Sequence, residues 1–264
     1  MGNNDVADDV SKHGTCHLCG SNGKLSFEHV PPEAAFNDQR VLEADIHALI
    51  GGDLIKELEK PTGQFNQRGA GKFTLCENCN TSTGGWYGRS YVEFARQVFP
   101  LCQTVPPGTT VTIQCSIRPL DVIKQMLVMF CSASPPSFAQ KHPRLVRYLL
   151  NPESREADDQ RVFISLYDLV NSRAARQAGL TGRIDMGGQS HVFSEISFPP
   201  FNLVMSASGG CPDANLFEIT WFKECAHRER RTVQLTLNNL AVNSYFPGDY
   251  RTLDEIKSMS SRSN

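Results

Sequence analysis

The sequence predicts an α+β protein that consists of a metal-stapled N-terminal unit and a mixed, strand-rich C-terminal domain. Two C-x-x-C pairs, Cys16/Cys19 and Cys76/Cys79, bracket an apolar strand segment that ends at Pro31. An amphipathic helical segment follows the second pair. In the second half of the chain, short alternating apolar segments separated by Pro, Gly and Asn predict successive strands.

Length and composition are those of an ordinary globular protein with room for two domains. The chain has 264 residues, 40% hydrophobic and 20% charged, with a net charge of −2. We expect a disordered lead over 1–13, an N-terminal unit over 14–104, an α+β domain over 105–257 and a disordered tail over 258–264. The polar N-terminus and the absence of a long apolar run predict a cytoplasmic protein with no membrane contact.

The four paired cysteines predict a structural zinc site. Two C-x-x-C knuckles supply the four thiolates that close a tetrahedral zinc sphere. The knuckles are roughly 55 residues apart, against about 15–20 in a simple zinc ribbon, so the zinc would pin the two ends of an inserted unit. Four unrelated buried thiols are the alternative. Disulfides are disfavoured because nine cysteines without a secretory signal indicate a reducing compartment.

A histidine follows a carboxylate at the end of the first apolar strand. Leu25, Phe27 and Val30 give the segment strand character, and Pro31 stops it. Glu28 and His29 therefore lie at a strand end, and with four cysteines available the zinc does not need His29. A histidine free of the metal can act as a general base near neutral pH. By itself, it could equally be a surface histidine.

Asn80 directly follows the last cysteine and precedes a helix. The helix is predicted from an apolar face made by Trp86, Tyr87, Tyr91, Phe94, Ala95 and Val98. Asn80 would lie at or just inside the start of that helix. It is either a helix cap or an oxygen ligand to a divalent cation.

Together these residues resemble the zinc-stapled HNH endonucleases, which have a ββα-metal core. The resemblance runs from C-x-x-C through Glu28-His29-Val30-Pro31 and Leu75-Cys76-x-x-Cys79-Asn80 to the helix, over about residues 14–100. It differs in having Glu28 where many members have Asp. The family's middle Asn, which braces the loop that orients the base, has only Asn66 as a candidate here.

The resemblance implies a metal-dependent nuclease that hydrolyses phosphodiester bonds in DNA, with RNA not excluded. His29 would be the general base, and Glu28 and Asn80 would hold a catalytic Mg²⁺ or Mn²⁺. Cys16, Cys19, Cys76 and Cys79 would hold the structural Zn²⁺. The products would carry 5′-phosphate and 3′-hydroxyl ends.

Because the chain is slightly acidic, phosphate contacts would have to come from local basic patches. Arg68 and Lys72 lie in a Gly-rich basic segment, whose simpler interpretation is a flexible loop. Arg89 on the predicted helix is a further candidate, although a helical arginine is more often just solvated. The basic run 228–231 is more often a solvated turn than a phosphate site.

The second domain contains predicted elements but no catalytic motif. We expect a buried helix over 120–131, because that segment is apolar on more than one face. Strands are predicted over 109–117, 162–170, 182–186, 190–198, 201–206, 216–222 and 232–240. A short helix is expected over 40–50 in the first unit.

Three functions stay open at this point. The first is an HNH-like endonuclease whose second domain controls targeting or activity. The second is a non-catalytic zinc module that binds nucleic acid or protein. The third is a gated nuclease of bacterial antiphage defence, with a regulatory ligand or partner on residues 105–257. Double-strand cleavage would favour a homodimer.

Overall fold

The computed structural model describes residues 13–44, 63–184, 188, 190–208, 210–211 and 213–260. The predicted disordered lead lies outside the described residues except for His13, which begins the first strand. The last helix extends through Ser260, three residues into the predicted disordered tail, and residues 261–264 lie outside the described residues.

The described strands are β1 (His13–Thr15), β2 (Asn22–His29), β3 (Val41–Glu43), β4 (Gln64–Asn66), β5 (Gly71–Cys76), β6 (Thr110–Ile117), β7 (Arg161–Tyr167), β8 (Arg176–Ile184), β9 (Ser190–Phe198), β10 (Phe201–Ser208), β11 (Phe217–Glu218) and β12 (Arg231–Leu240). The described helices are α1 (Glu77–Thr83), α2 (Arg89–Val98), α3 (Leu101–Thr104), α4 (Pro119–Ala133), α5 (Pro136–Lys141), α6 (Pro143–Leu149) and α7 (Leu253–Ser260). A π-helical turn (Gly84–Gly88) joins α1 to α2, and a 3₁₀ turn (Thr220–Glu224) follows β11.

The N-terminal unit is a small antiparallel sheet followed by a helix. Its strand order is β1-β2-β5, and β5 leads directly into α1. On α2 the apolar residues Tyr91, Phe94 and Val98 recur at helical spacing and are fully buried. The predicted helix after Asn80 is therefore present, and its apolar face points into the core.

Part of the helix predicted over 40–50 is instead strand β3. Val41 and Leu42 pair with Asn66 and Phe65 of β4 in an antiparallel ribbon. The Arg40 guanidinium lies 3.5 Å from the centre of the Phe65 ring, which adds a cation–π contact to the ribbon. Pairing with a distant strand overrides the local helical pattern here, and residues 45–50 lie outside the described residues.

The second half of the chain forms a seven-stranded sheet. Its order is β6-β12-β7-β10-β9-β8, with β11 paired to β7. The pairs are antiparallel except for the short contact between β12 and β7, which is parallel. The sheet places its last strand, β12, between β6 and β7, so this order depends on contacts that are distant in sequence. The fold is thus mixed α+β with a strand-rich sheet, as the composition and patterning predicted.

Helix α4 is the buried centre of the molecule. All of its residues except Ala133 are buried, as expected for a segment that is apolar on more than one face. It packs against α2 and the π-helical turn on one side and against β8, β9 and β10 on the other. One apolar core therefore runs from Leu18 in the N-terminal unit to Leu237 in the large sheet. Among the described residues, no helix is long and apolar enough to cross a membrane.

Candidate metal centre and active site

The four cysteines of the two knuckles converge on one point. Cys16 follows β1, Cys76 ends β5, and Cys79 lies in α1, so strand pairing and the first helical turn bring the knuckles together. All four Sγ atoms lie within 4.8 Å of one another. The Sγ atoms of Cys19 and Cys76 are 3.8 Å apart, which equals the edge of about 3.8 Å of a tetrahedron with 2.3 Å Zn–S bonds.

Hydrogen bonds within this four-cysteine cluster favour a thiolate at Cys16, while the same contact and burial raise the pKa of Cys79. A hydrogen bond from the Cys79 thiol lowers the pKa of Cys16 to about 4. The Cys76 backbone N–H, 3.3 Å from the Cys16 Sγ, lowers it further. Thiolates are the form that binds zinc. The cluster therefore could hold a structural zinc with all four positions filled by protein.

His29 lies at the end of β2, where its ring is fixed by two contacts. Its Nε2 donates to the backbone carbonyl of Arg68 at 2.7 Å, because a carbonyl oxygen can only accept. The Phe27 ring packs edge-on against the imidazole with 4.9 Å between ring centres. The proton of a neutral His29 is thereby held on Nε2, which leaves the lone pair on Nδ1.

Asn37 fastens the loop that follows His29 to the segment that precedes β5. Its Nδ2 donates to the carbonyls of Pro31 at 2.6 Å and Ala70 at 2.7 Å, and its Oδ1 accepts from the Ala70 N–H at 2.7 Å. Gly69 has φ +85, and an added Cβ would lie 2.1 Å from the Asn37 carbonyl oxygen. A residue with a side chain would therefore not fit at position 69.

Asn66, the candidate for a bracing asparagine in the sequence, makes none of the hydrogen bonds that Asn37 makes to Pro31 and Ala70. The Asn66 Oδ1 accepts from the Arg68 N–H at 3.0 Å, a bond within its own turn. Asn37 was missed because it lies between the two motifs with no fixed spacing to either. The signal that could have found it is a polar residue in the Pro- and Ala-rich segment after His29.

Glu28 is a buried carboxylate on β2, opposite Lys72 of β5 in the strand register. Only 6% of the residue is exposed, and burial raises the pKa of its carboxyl to about 8. Among the described residues, no Lys, Arg or His nitrogen lies within 4 Å of its oxygens. The energetic cost of an ionised Glu28 is thus not offset by a cation of the described chain.

Asn80 lies in the middle of α1 and packs against the same strand. Its Nδ2 donates to the Ser26 Oγ at 3.0 Å and to the Phe27 carbonyl at 3.1 Å. The cap alternative is wrong, because the residue at the cap position of α1 is Cys76. Because the Asn80 amide nitrogen is hydrogen-bonded to β2, the amide oxygen could coordinate a cation.

The three candidate phosphate contacts lie in different environments. Arg68 is exposed, and it is its backbone carbonyl that holds His29. Lys72 is exposed beside Glu28 in the strand register. Arg89 forms an ion pair with Glu93 at 3.0 Å, although 84% of its side chain is exposed. In the basic run, Arg230 also pairs with Glu93, at 2.7 Å.

Compared with protein-family models, with curated proteins and with solved structures, the chain matches none of them.

Proposed function

We propose that the chain is a metal-dependent endonuclease of the HNH type that hydrolyses phosphodiester bonds in DNA. His29 is the general base, and Glu28 and Asn80 hold the catalytic cation. The four-cysteine cluster holds a zinc that keeps the base-bearing strand and the helix together.

The hydrogen bond from His29 Nε2 to the Arg68 carbonyl is the observation that carries this proposal. A surface histidine without a catalytic role does not need a fixed tautomer. Here the proton is held on Nε2, and Nδ1 is the atom that can accept another one. The Asn37 bonds support the same role, because they fasten the segments on either side of the imidazole.

The donors at Glu28 and Asn80 fit a hard divalent cation. Mg²⁺ prefers oxygen ligands and keeps several waters, so one carboxylate and one amide oxygen suffice. Among the described residues Glu28 has no hydrogen bond or ion pair from its carboxylate, and a bound cation would favour its ionised form. Both residues contribute to the same strand–helix contact, since Asn80 bonds to β2 two positions before Glu28.

In the proposed reaction, His29 Nδ1 removes a proton from water as the water oxygen bonds to phosphorus. The bond from phosphorus to the 3′ oxygen breaks, and that oxygen takes a proton from solvent. A divalent cation such as Mg²⁺ or Mn²⁺, when bound, offsets the negative charge on the leaving oxygen. Glu28 and Asn80 orient the site by their places on β2 and α1, while the Arg68 carbonyl stabilises the protonated imidazole.

The test is plasmid cleavage with Mg²⁺ or Mn²⁺ by the native chain and by His29→Ala. We expect a loss of about a hundredfold or more, the usual contribution of a general base. The zinc content should be unchanged, because His29 is not a ligand of the four-cysteine cluster. His13→Ala is the matched control, an exposed histidine on the neighbouring strand, and it should cleave like the native chain.

Two outcomes would contradict the proposal. Equal cleavage by the native chain and His29→Ala would mean that another site or a contaminant is active. No cleavage by either protein, with zinc retained, would favour the non-catalytic zinc module or the gated nuclease over a nuclease that is active by itself.

A further inference from the structure

A cavity of about 240 Å³ lies where the N-terminal unit meets the second half of the chain. One wall comes from the first knuckle, the end of β2 and strand β5, and the other from the end of α4 and from β8. Its polar lining consists of His17, Lys72, Thr74, Ser132, Ser134 and Gln177.

The side chains of this cavity offer donors and positive charge. Lys72 is the one residue of its lining that is charged at all pH values near neutral, and no carboxylate lines it. Ser134 is only 1% exposed, and its Oγ is a buried polar atom without a hydrogen-bond partner. Such an atom is costly to bury, and a ligand that accepted its hydrogen would remove that cost.

The end of helix α4 does not make the cavity unfavourable for an anion. The Ser134 N–H donates to the carbonyls of Phe130 at 3.0 Å and Cys131 at 3.3 Å. The Ser132 carbonyl accepts from His17 Nδ1 at 3.0 Å. Three of the carbonyls that give a helix C-terminus its negative end are therefore already bound.

We propose that this cavity binds a small free phosphate or phosphate monoester. A volume of about 240 Å³ has room for a phosphate ion or a small phosphate monoester. The phosphate oxygens accept from the Lys72 ammonium, the Ser134 hydroxyl and the Gln177 amide.

This ligand would act on the proposed nuclease through Gln177, a part of the inference that rests on the proposed function. Gln177 Nε2 donates to the carbonyl of Val30, the residue next to His29, across 147 positions of sequence. An amide nitrogen has two hydrogens, so Gln177 can hold Val30 with one and the phosphate with the other. A bound phosphate then fixes Gln177 and, through Val30, the strand end that carries the base.

The first experiment is calorimetric titration of inorganic phosphate into the zinc-loaded full chain in a phosphate-free buffer. We expect saturable binding that weakens about tenfold in Ser134→Ala and in Lys72→Gln, because each removes one hydrogen bond to a charged group. Lys24→Gln is the matched control, an exposed lysine on the adjacent strand and outside the cavity, and its affinity should equal that of the native chain. Zinc content checks the fold of each variant.

The proposed site would be overturned if the native chain showed no saturable phosphate binding. It would also be overturned if Ser134→Ala and Lys72→Gln bound phosphate as tightly as the native chain and Lys24→Gln. A short DNA duplex added as competitor separates two sources of phosphate. If the duplex displaces inorganic phosphate, the cavity binds the substrate backbone, and the assignment to a free ligand is wrong.

The regulatory part is measured separately, as the cleavage rate with and without phosphate. We expect phosphate to raise the rate of the native chain, and Gln177→Ala to lose that response even at phosphate concentrations that saturate its weakened site. An equal response in Gln177→Ala would overturn the coupling. Since calorimetry does not depend on cleavage, failure of the nuclease proposal leaves the binding result interpretable.

Discussion

Glu195 and Glu28 are buried carboxylates in different halves of the molecule, and they differ in what surrounds them. Glu195, on β9, is fully buried and accepts from Arg176 Nη2 at 2.6 Å, from the Gly248 N–H at 2.6 Å and from the Ser197 hydroxyl at 2.5 Å. Glu28, on β2, has no such set of donors, and burial raises its pKa to about 8.

This difference is the one expected between a structural carboxylate and one that, as proposed for Glu28, binds a cation. Glu195 joins β8, β9 and the segment before α7 into one unit, because Arg176 also donates to the carbonyls of Phe246 and Asp249. Its charge is neutralised within the described chain. Among the described residues no cation offsets an ionised Glu28, so a bound metal ion would favour its charged form. The N-terminal unit also contains the four-cysteine cluster, so metal removal should affect it more than the large sheet.

Zinc removal should give the largest effect and should be confined to the side of Glu28. Structural zinc contributes on the order of 10 kcal/mol in small zinc modules, so a chelator should unfold the strands around the cluster. Hydrogen exchange should rise strongly in β1, β2 and β5 and far less in β9 and β10. Cys79→Ser should reproduce the change, and Cys211→Ser, outside the cluster, should not. If hydrogen exchange rose equally in the N-terminal sheet and in β9 and β10, the two regions would not differ in their dependence on metal.

Arg176→Met should give the next largest effect and act on the side of Glu195. It leaves a fully buried carboxylate unpaired, which costs about 3–5 kcal/mol. Thermal unfolding should occur roughly 10 °C lower. Arg161→Met is the matched control, because its pair with Glu218 is partly exposed and worth at most about 1 kcal/mol. A small effect of Arg176→Met would mean that Glu195 is as independent of its partner as Glu28.

Lys124 tests how a buried cation at the junction of the two regions behaves. Its ammonium donates to the carbonyls of Asn151 at 2.7 Å and Pro152 at 3.0 Å, and burial lowers its pKa to about 8. Between pH 8 and about 10.5 the unfolded chain binds more protons than the folded one, so stability should rise with pH in that window. Below pH 8 this contribution should be constant.

Denaturant unfolding at pH 8 and pH 10 measures this rise. Lys124→Met should remove a part of it on the order of 2 kcal/mol. Burial also lowers the pKa of Lys223 to about 8, so a residual rise is expected in the variant. If the free energy of unfolding of Lys124→Met rose between pH 8 and pH 10 as much as that of the native chain, the lowered pKa of Lys124 would not be the cause of the rise.

Glu28→Gln should have the smallest effect on stability and a large one on cleavage. It removes a buried carboxylate without protein partners, so the free energy of unfolding should stay within about 1 kcal/mol or increase. Cleavage should fall about a hundredfold or more, because the proposed cation loses its charged ligand. Glu33→Gln, an exposed change just beyond the strand end, is the control. Marked destabilisation by Glu28→Gln would show that Glu28 is structural like Glu195.

The parts of this site that follow from local pattern were predictable from the sequence. Cysteine spacing identified the four-cysteine cluster, because two ligands of each knuckle lie within one turn. Alternation and a terminal proline predicted that His29 ends a strand, and β2 does end at His29. The burial of helix α4 was predictable, because its segment is apolar on more than one face.

The parts that depend on distant partners were not predictable. Asn37 bonds to Ala70 across 33 positions, and Gln177 bonds to Val30 across 147. Strand β8 begins at Arg176, several residues before its predicted start at 182, because Arg176 and Gln177 are polar residues whose buried partners lie elsewhere in the chain. Local patterns do not contain the partner that makes such burial favourable.

The ribbon of β3 and β4 makes the chain between them a natural insertion point. Glu43 pairs with Gln64, so the two strands that flank the intervening segment end at adjoining positions. Doubling the length of a flexible closed loop costs only about 0.6 kcal/mol. A fluorescent or affinity tag inserted there should leave the metal centre and His29 undisturbed. The same tolerance would let the segment between β3 and β4 be lengthened without changing strand β2.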